Sequence, residues 1–89
     1  MLSVQLSPRA LRDLKNLPKP YASTILDDLE ILKTPPWPAS PKVKRLQGTP
    51  YLRLRSGDFR SIFLREDQKV VILRIVNRKD LERVLKTLP

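Results

Sequence analysis

Nearly all the residues of this chain that could do chemistry are arginines. Arg53, Arg55 and Arg60 lie in one short stretch, and Arg78 follows the apolar run from Lys69 to Val76. A guanidinium is a planar fork that offers two parallel hydrogen bonds to a phosphate, so several on one surface suit a phosphodiester backbone. Lys44, Arg45 and Arg74 add positive charge nearby and complete the set of candidate nucleic-acid contacts. Exposed strand positions are often charged simply to block edge pairing. That explanation suffices for Arg53 alone, but less well for four arginines with few acids among them.

The composition narrows the alternatives. The 89 residues include no Cys and no His. Disulfides, thiolate nucleophiles, imidazole acid–base catalysis and nearly all zinc sites are excluded together, and no metal or cofactor is implied. No apolar stretch approaches the roughly 20 residues of a membrane span, and no signal-like apolar segment opens the chain, so no membrane partner and a cytoplasmic location are expected. The 18 basic residues against 9 acidic ones give a net charge of +9 and a pI near 10.5. Residues 1–41 carry +1 of this and residues 42–89 carry +8. So lopsided a field attracts polyanions.

One domain spanning residues 1–89 must position these groups. Leu2, Val4 and Leu6 alternate with polar residues, as in a half-buried strand. Ser7-Pro8 reads as an N-cap and first helical residue, and Ala10, Leu11, Leu14 and Leu17 follow at helical spacing until Pro18. A second helix is expected from about Pro20 to Lys33, with Ala22, Ile25, Leu26, Leu29 and Leu32 as its apolar stripe. The two form an αα-hairpin. The proline-rich segment Thr34–Pro41 is a stiff connection, with Trp37 expected as a lid on the core or, alternatively, as a base-stacking platform.

The remainder is β-rich. Val43–Leu46 is a short strand, and Tyr51–Arg55 alternates, with Leu52 and Leu54 on one face and Tyr51, Arg53 and Arg55 on the other. Ser56-Gly57-Asp58 is turn chemistry, and Phe59–Leu64 is the return strand. Lys69–Val76 reads as a central strand covered on both faces, and Asn77–Leu88 has helical spacing at Leu81, Val84, Leu85 and Leu88. The fold class is α+β: an antiparallel meander with an N-terminal strand and the αα-hairpin on one face, in the order β-α-α-β-β-β-α. On this pattern Arg53, Arg55 and Arg60 share the face away from the hairpin.

The run Arg53-Leu54-Arg55-Ser56-Gly57-Asp58-Phe59-Arg60-Ser61-Ile62-Phe63 resembles the core motif of the RelE/ParE superfamily of bacterial and archaeal toxins. Leu46-Gln47-Gly48 is similar to its L-x-G element, Ser7, Pro8, Ala10, Asp13, Leu14 and Leu17 to its N-terminal pattern, and Val70–Arg78 to its last strand. The resemblance implies a RelE-like toxin of a type II toxin–antitoxin system, held by a cognate antitoxin. It implies one of two targets: mRNA in the ribosomal A site, cleaved without a metal, or, in the ParE branch, DNA gyrase. By position, Arg60 corresponds to the sheet arginine on the scissile phosphate, Arg78 to the basic residue after the last strand, and Arg53 to a basic strand position. Tyr51 stands where RelE has a catalytic lysine, and Glu82 and Val84 stand where a C-terminal Tyr or His is expected.

Cleavage of RNA by its own 2′-hydroxyl needs a proton acceptor, stabilisation of the phosphorane, and a proton donor for the leaving oxygen. Arginines supply the middle function but are poor bases, with a pKa above ~12. Proton transfer would then fall to Glu82, Lys79 or Lys44, with Asp58 and Tyr51 as further candidates. Glu82 sits four residues after Arg78, so a simple helical ion pair between them is the competing reading. Two function classes follow: a translation-arresting endoribonuclease in which Arg53, Arg60 and Arg78 hold the scissile phosphate, or a toxin that acts by binding alone, through gyrase or as an inactive homologue.

Overall fold

The computed structural model describes all 89 residues. Strand β1 (Ser3–Leu6) leads into helix α1 (Pro8–Lys15), and helix α2 (Lys19–Leu29) tightens into a 3₁₀ turn over Glu30–Lys33. Strands β2 (Val43–Arg45), β3 (Leu52–Ser56), β4 (Phe59–Glu66) and β5 (Lys69–Asn77) follow. A 3₁₀ turn (Arg78–Asp80) and the short helix α3 (Leu81–Leu85) end the chain. The sheet order is β1-β5-β4-β3-β2. The α+β reading holds, with two additions. The short strand expected at Val43–Leu46 forms over Val43–Arg45 as a paired edge strand, so four strands follow the hairpin where the element order above counted three. In addition, β1 runs parallel to β5, from Ser3 opposite Lys69 to Leu6 opposite Ile72.

Local chemistry explains most boundaries. Ser7 Oγ accepts from the Ala10 N–H at 3.1 Å and donates to the Leu73 carbonyl at 3.0 Å, so one hydroxyl both caps α1 and ties it to β5. Gly57, with φ of +59°, fills the first loop position of the two-residue β3–β4 hairpin, where a side chain would be strained. Asn77 accepts from the Lys79 N–H at 3.1 Å and turns the chain out of β5. The final helix is shorter than its apolar spacing suggests, because three of its expected residues form that 3₁₀ turn.

The sheet buries apolar side chains on both faces. On one side α1 and α2 cover Leu54, Phe63, Val70, Ile72 and Ile75. Trp37 closes this core, edge-on to Phe63 with centroids 5.4 Å apart, and donates its indole N–H to the Leu32 carbonyl at 3.0 Å. The lid reading of Trp37 is therefore the one observed. On the other side α3 lays Val84 over Tyr51, Ile62 and Val76. Leu11 and Leu26, expected on the buried stripes, are exposed at 41% and 43%. Each helix is too lightly covered to bury a wide face, and the deeper positions Ala10, Leu14, Ile25 and Leu29 fill the interface instead.

Between Ile62 and Phe63 the β4–β5 register shifts, leaving Leu73 as an extra residue. Arg74, opposite Ile62, lies past the last β1–β5 pair, where the edge of β5 is open toward α1. Arg74 Nε bonds Asp13 Oδ2 at 2.8 Å, and the same oxygen accepts from the Ile75 N–H at 3.0 Å. Arg74 thus pins α1 to the sheet and is not part of the arginine-bearing surface on which it was expected. Both partners are largely covered, so Asp13→Ala leaves an unpaired guanidinium and an unpaired amide. A loss of about 3 kcal/mol in urea denaturation, with an unchanged m-value, is expected; a loss below about 1 kcal/mol would remove this pair from the account of how α1 is held.

Candidate functional site

Cross-strand register decides where the remaining arginines point. Arg55 stands directly opposite Arg60 in the β3–β4 pair, and Lys44 directly opposite Arg53 in the β2–β3 pair. Directly opposed residues share a face. Lys44, Arg53, Arg55 and Arg60 therefore line up on the side away from α1 and α2, next to the patch that α3 covers. Arg78 joins them from β5: its backbone N–H donates to the Asp58 carbonyl at 2.7 Å, which fixes it against the β3–β4 turn.

The guanidinium groups of Arg53 and Arg60 are steered by backbone carbonyls. Arg53 donates to the Pro41 carbonyl at 2.8 Å. Arg60 donates from one nitrogen to the carbonyls of Gly57 at 2.8 Å and Phe59 at 3.0 Å. The one carboxylate nearby is that of Asp58, 3.6 Å from Arg78 Nε, with both side chains well exposed. An exposed pair of that length is weak. With five N–H donors on each guanidinium, most remain uncommitted.

The mutual field of these groups is visible in their proton affinities. The pKa of Arg60 is lowered, first by burial and then by the charges of Arg53, Arg55 and Arg78, with Asp58 acting in the opposite direction. That of Arg53 is lowered by burial and then by Arg55. Both remain cations, so the result is a concentrated positive charge that an incoming anion relieves.

The other candidate residues separate clearly. Lys44 and Glu82 line one cavity of about 520 Å³ between β2 and α3, with Arg45 and Lys86 at the same opening. Lys79 is not among its lining residues and stands exposed in the 3₁₀ turn. Arg45 faces Leu52 in register, so its side chain leaves β2 on the face opposite to Lys44. Glu82 makes no ion pair with Arg78, which bridges to Asp58 instead. Tyr51 is only 5% exposed and its hydroxyl donates to the Pro89 carbonyl. It belongs to the core beneath α3, and the expectation of Tyr51 as a proton-transfer residue is corrected accordingly.

Two buried hydroxyls, those of Ser56 and Ser61, have no hydrogen-bond partner. Sequence reasoning treated Ser56 as part of the turn. The available signal was its parity with Leu54, which places a polar side chain on the core-facing side of β3.

Residues 4–82 match the family model of the ParE toxin of the type II toxin–antitoxin system parDE. The putative toxin RelE1 of Methanocaldococcus jannaschii is 33% identical over 81 residues, covering 88% of this chain and 90% of that protein. The toxin of the archaeal RelE–RelB complex from Pyrococcus horikoshii superposes with a TM-score of 0.71 at 29% identity, covering 86% of this chain and 94% of that one. A chain of the toxin–antitoxin complex RelBE2 from Mycobacterium tuberculosis gives 0.69 at 25% identity, covering 89% and 93%.

Because the arginines repel one another, removing two of them should not unfold the domain. Arg60→Ala with Arg78→Ala is expected to keep or raise the melting temperature. It should also flatten the log–log salt dependence of binding to a single-stranded oligonucleotide by about 1.4, or about 0.7 for each phosphate no longer neutralised. Fluorescence anisotropy across a salt series reads the slope, and an unchanged slope would show that these two side chains do not engage the backbone.

Proposed function

The chain belongs to the RelE/ParE family of type II toxin–antitoxin toxins, and from that premise we propose that it is an endoribonuclease that arrests translation by cutting messenger RNA in the ribosomal A site. The observation that carries this reading is the convergence of Arg53, Arg55, Arg60 and Arg78 on one end of the sheet with a single weakly engaged carboxylate among them. A phosphodiester lying across Arg60 and Arg78 meets one guanidinium oriented by the carbonyls of Gly57 and Phe59 and a second held by a long contact to Asp58. As the 2′-oxygen attacks the neighbouring phosphorus, charge builds on the non-bridging oxygens. Preorganised guanidinium groups stabilise that charge more than they stabilise the ground state.

The bond that forms joins phosphorus to the 2′-oxygen, and the bond that breaks frees the 5′-oxygen of the following nucleotide. A cyclic phosphate remains on one fragment and a hydroxyl on the other, with no metal or co-reactant in the balance. The proton leaving the 2′-hydroxyl needs an acceptor, which we assign to Glu82. The departing 5′-oxygen takes a proton from Lys44, which lines the same cavity. Lys79 lies outside it and is not needed. Ribosomal RNA would supply the alignment that a cavity open to solvent does not provide by itself.

The partner in the resting cell would be a cognate antitoxin, as in the RelE–RelB complexes that this chain resembles. The net charge of +9 favours an antitoxin segment with acidic character. A second reading is supported by the ParE family match and by Tyr51, which occupies the RelE lysine position and is buried: a toxin acting on DNA gyrase by binding. The arginine face would then serve as a docking surface rather than a phosphate clamp.

Induced expression with transcriptome-wide mapping of RNA 5′ ends, alongside a gyrase supercoiling assay, separates the two. New cleavages inside translated messages are expected, and Glu82→Gln should reduce them by roughly 100-fold. Arg60→Ala with Arg78→Ala should relieve growth arrest while the domain stays folded. Full toxicity of that folded double variant, or gyrase inhibition without cleavage, would overturn the nuclease.

A further inference from the structure

Acidic residues are scarce in this chain, and one of them stands where its own helix disfavours it. Asp28 lies in the last turn of α2, at the negative end of the helix macrodipole, and no basic residue of that turn offsets it. Its partner comes from outside the helix. Lys42 Nζ lies 3.0 Å from Asp28 Oδ2, and the lysine and aspartate side chains are only 33% and 20% exposed. Apart from Asp13 with Arg74, no other ion pair joins distant segments with both side chains so well covered.

Lys42 ends the connection that runs from Thr34 to β2 without helix or strand. Two successive carbonyls there reach the arginine-bearing strand. That of Lys42 accepts from the Arg55 N–H at 2.8 Å and carries the β2–β3 ladder one residue further. That of Pro41 accepts from the Arg53 guanidinium at 2.8 Å, the only hydrogen bond this guanidinium makes. Because β2 is an edge strand, a line of contacts passes around the sheet from the helix side to the arginine side. It runs from Asp28 to the Lys42 ammonium, along the Lys42 backbone to Pro41, and from the Pro41 carbonyl to Arg53.

We propose that Asp28 and Lys42 are positioning residues, which act on the phosphate through Arg53 by holding the Pro41 carbonyl where it aims the guanidinium. The inference rests on the nuclease reading of the arginine face and extends it to two residues that touch no phosphate. An arginine without a fixed acceptor samples many rotamers, and the cost of ordering it then falls on the reaction. The electrostatic field alone makes a different forecast. Asp28→Asn removes a negative charge and releases an ammonium that shares a cleft with Arg55, so a purely electrostatic role would raise anion affinity and activity together. Lys42→Met removes a positive charge and would lower both. Positioning requires the two substitutions to act in the same direction on the rate, although they change the net charge in opposite directions.

The test compares Asp28→Asn, Lys42→Met and the exchanged pair Asp28→Lys with Lys42→Asp, each in the full chain. Melting should move by less than about 5 °C, because a partly exposed ion pair contributes little to stability. In both single variants the Arg53 guanidinium resonances should shift and exchange faster with water, and the exchanged pair should restore them. Single-turnover cleavage of a translated message on purified ribosomes should fall roughly tenfold in both, while the ribosome concentration at half-maximal rate changes by less than about threefold. In an Arg53→Ala background, Asp28→Asn should cost nothing more. Arg53 resonances that Asp28→Asn leaves unchanged overturn the positioning role, whatever the cleavage shows. A rate that rises in Asp28→Asn and falls in Lys42→Met overturns it in favour of the field, and losses that add to that of Arg53→Ala overturn it in favour of general stability. Absence of cleavage by the wild-type chain overturns the nuclease reading, and the resonances then decide alone whether Asp28 and Lys42 hold Arg53.

Discussion

Like charges facing each other across a β-ladder destabilise it, and this fold accepts that cost at its central hairpin. Arg55 opposes Arg60, Arg53 lies one pair away, and Arg78 is fastened alongside. The repulsion is sustained because the strands beneath cannot yield. Leu54 and Phe63 are sealed under α1 and α2, while Ile62 and Val76 are sealed under α3. A flexible loop carrying the same arginines would splay them apart and dissipate the field. Here the two cores hold the guanidinium groups together, so the free energy released when an anion arrives is already stored in the resting protein.

That requirement gives α3 a purpose beyond its small size. Five residues could not stand as an independent helix. Val84, with Leu81 and Leu85 beside it, nevertheless converts what would be a one-sided sheet into one buried on both faces next to the arginines of β3 and β4. Tyr51 completes this layer by linking to the carbonyl of Pro89. The aromatic ring of Tyr51 thus closes the second core, and the cavity with Lys44 and Glu82 in its wall opens beside it.

Much of this was legible from residue order. Period-two alternation at Tyr51–Arg55 assigned Arg53 and Arg55 to the face away from Leu54, and the Gly57 turn carried Arg60 to the same side. Two kinds of information were not. Alternation fixes the face a residue leaves from but not where a long side chain ends: Arg74 stands opposite Ile62, on the arginine side, yet its guanidinium meets Asp13 on α1. Burial also depends on what lies across the sheet, which no local pattern encodes. Tyr51 looked exposed until α3 was seen to cover it, and the parallel pairing of β1 with β5 joins segments from opposite ends of the chain.

Asp58 shows how Arg78 is held in the cluster without being neutralised. A carboxylate inside a cluster of arginines would ordinarily neutralise it, yet at 3.6 Å, and exposed to water, this one restrains Arg78 without quenching its charge. The backbone bond from Arg78 to the Asp58 carbonyl holds the end of β5 against the hairpin turn, so the main chain rather than an ion pair keeps Arg78 within the cluster.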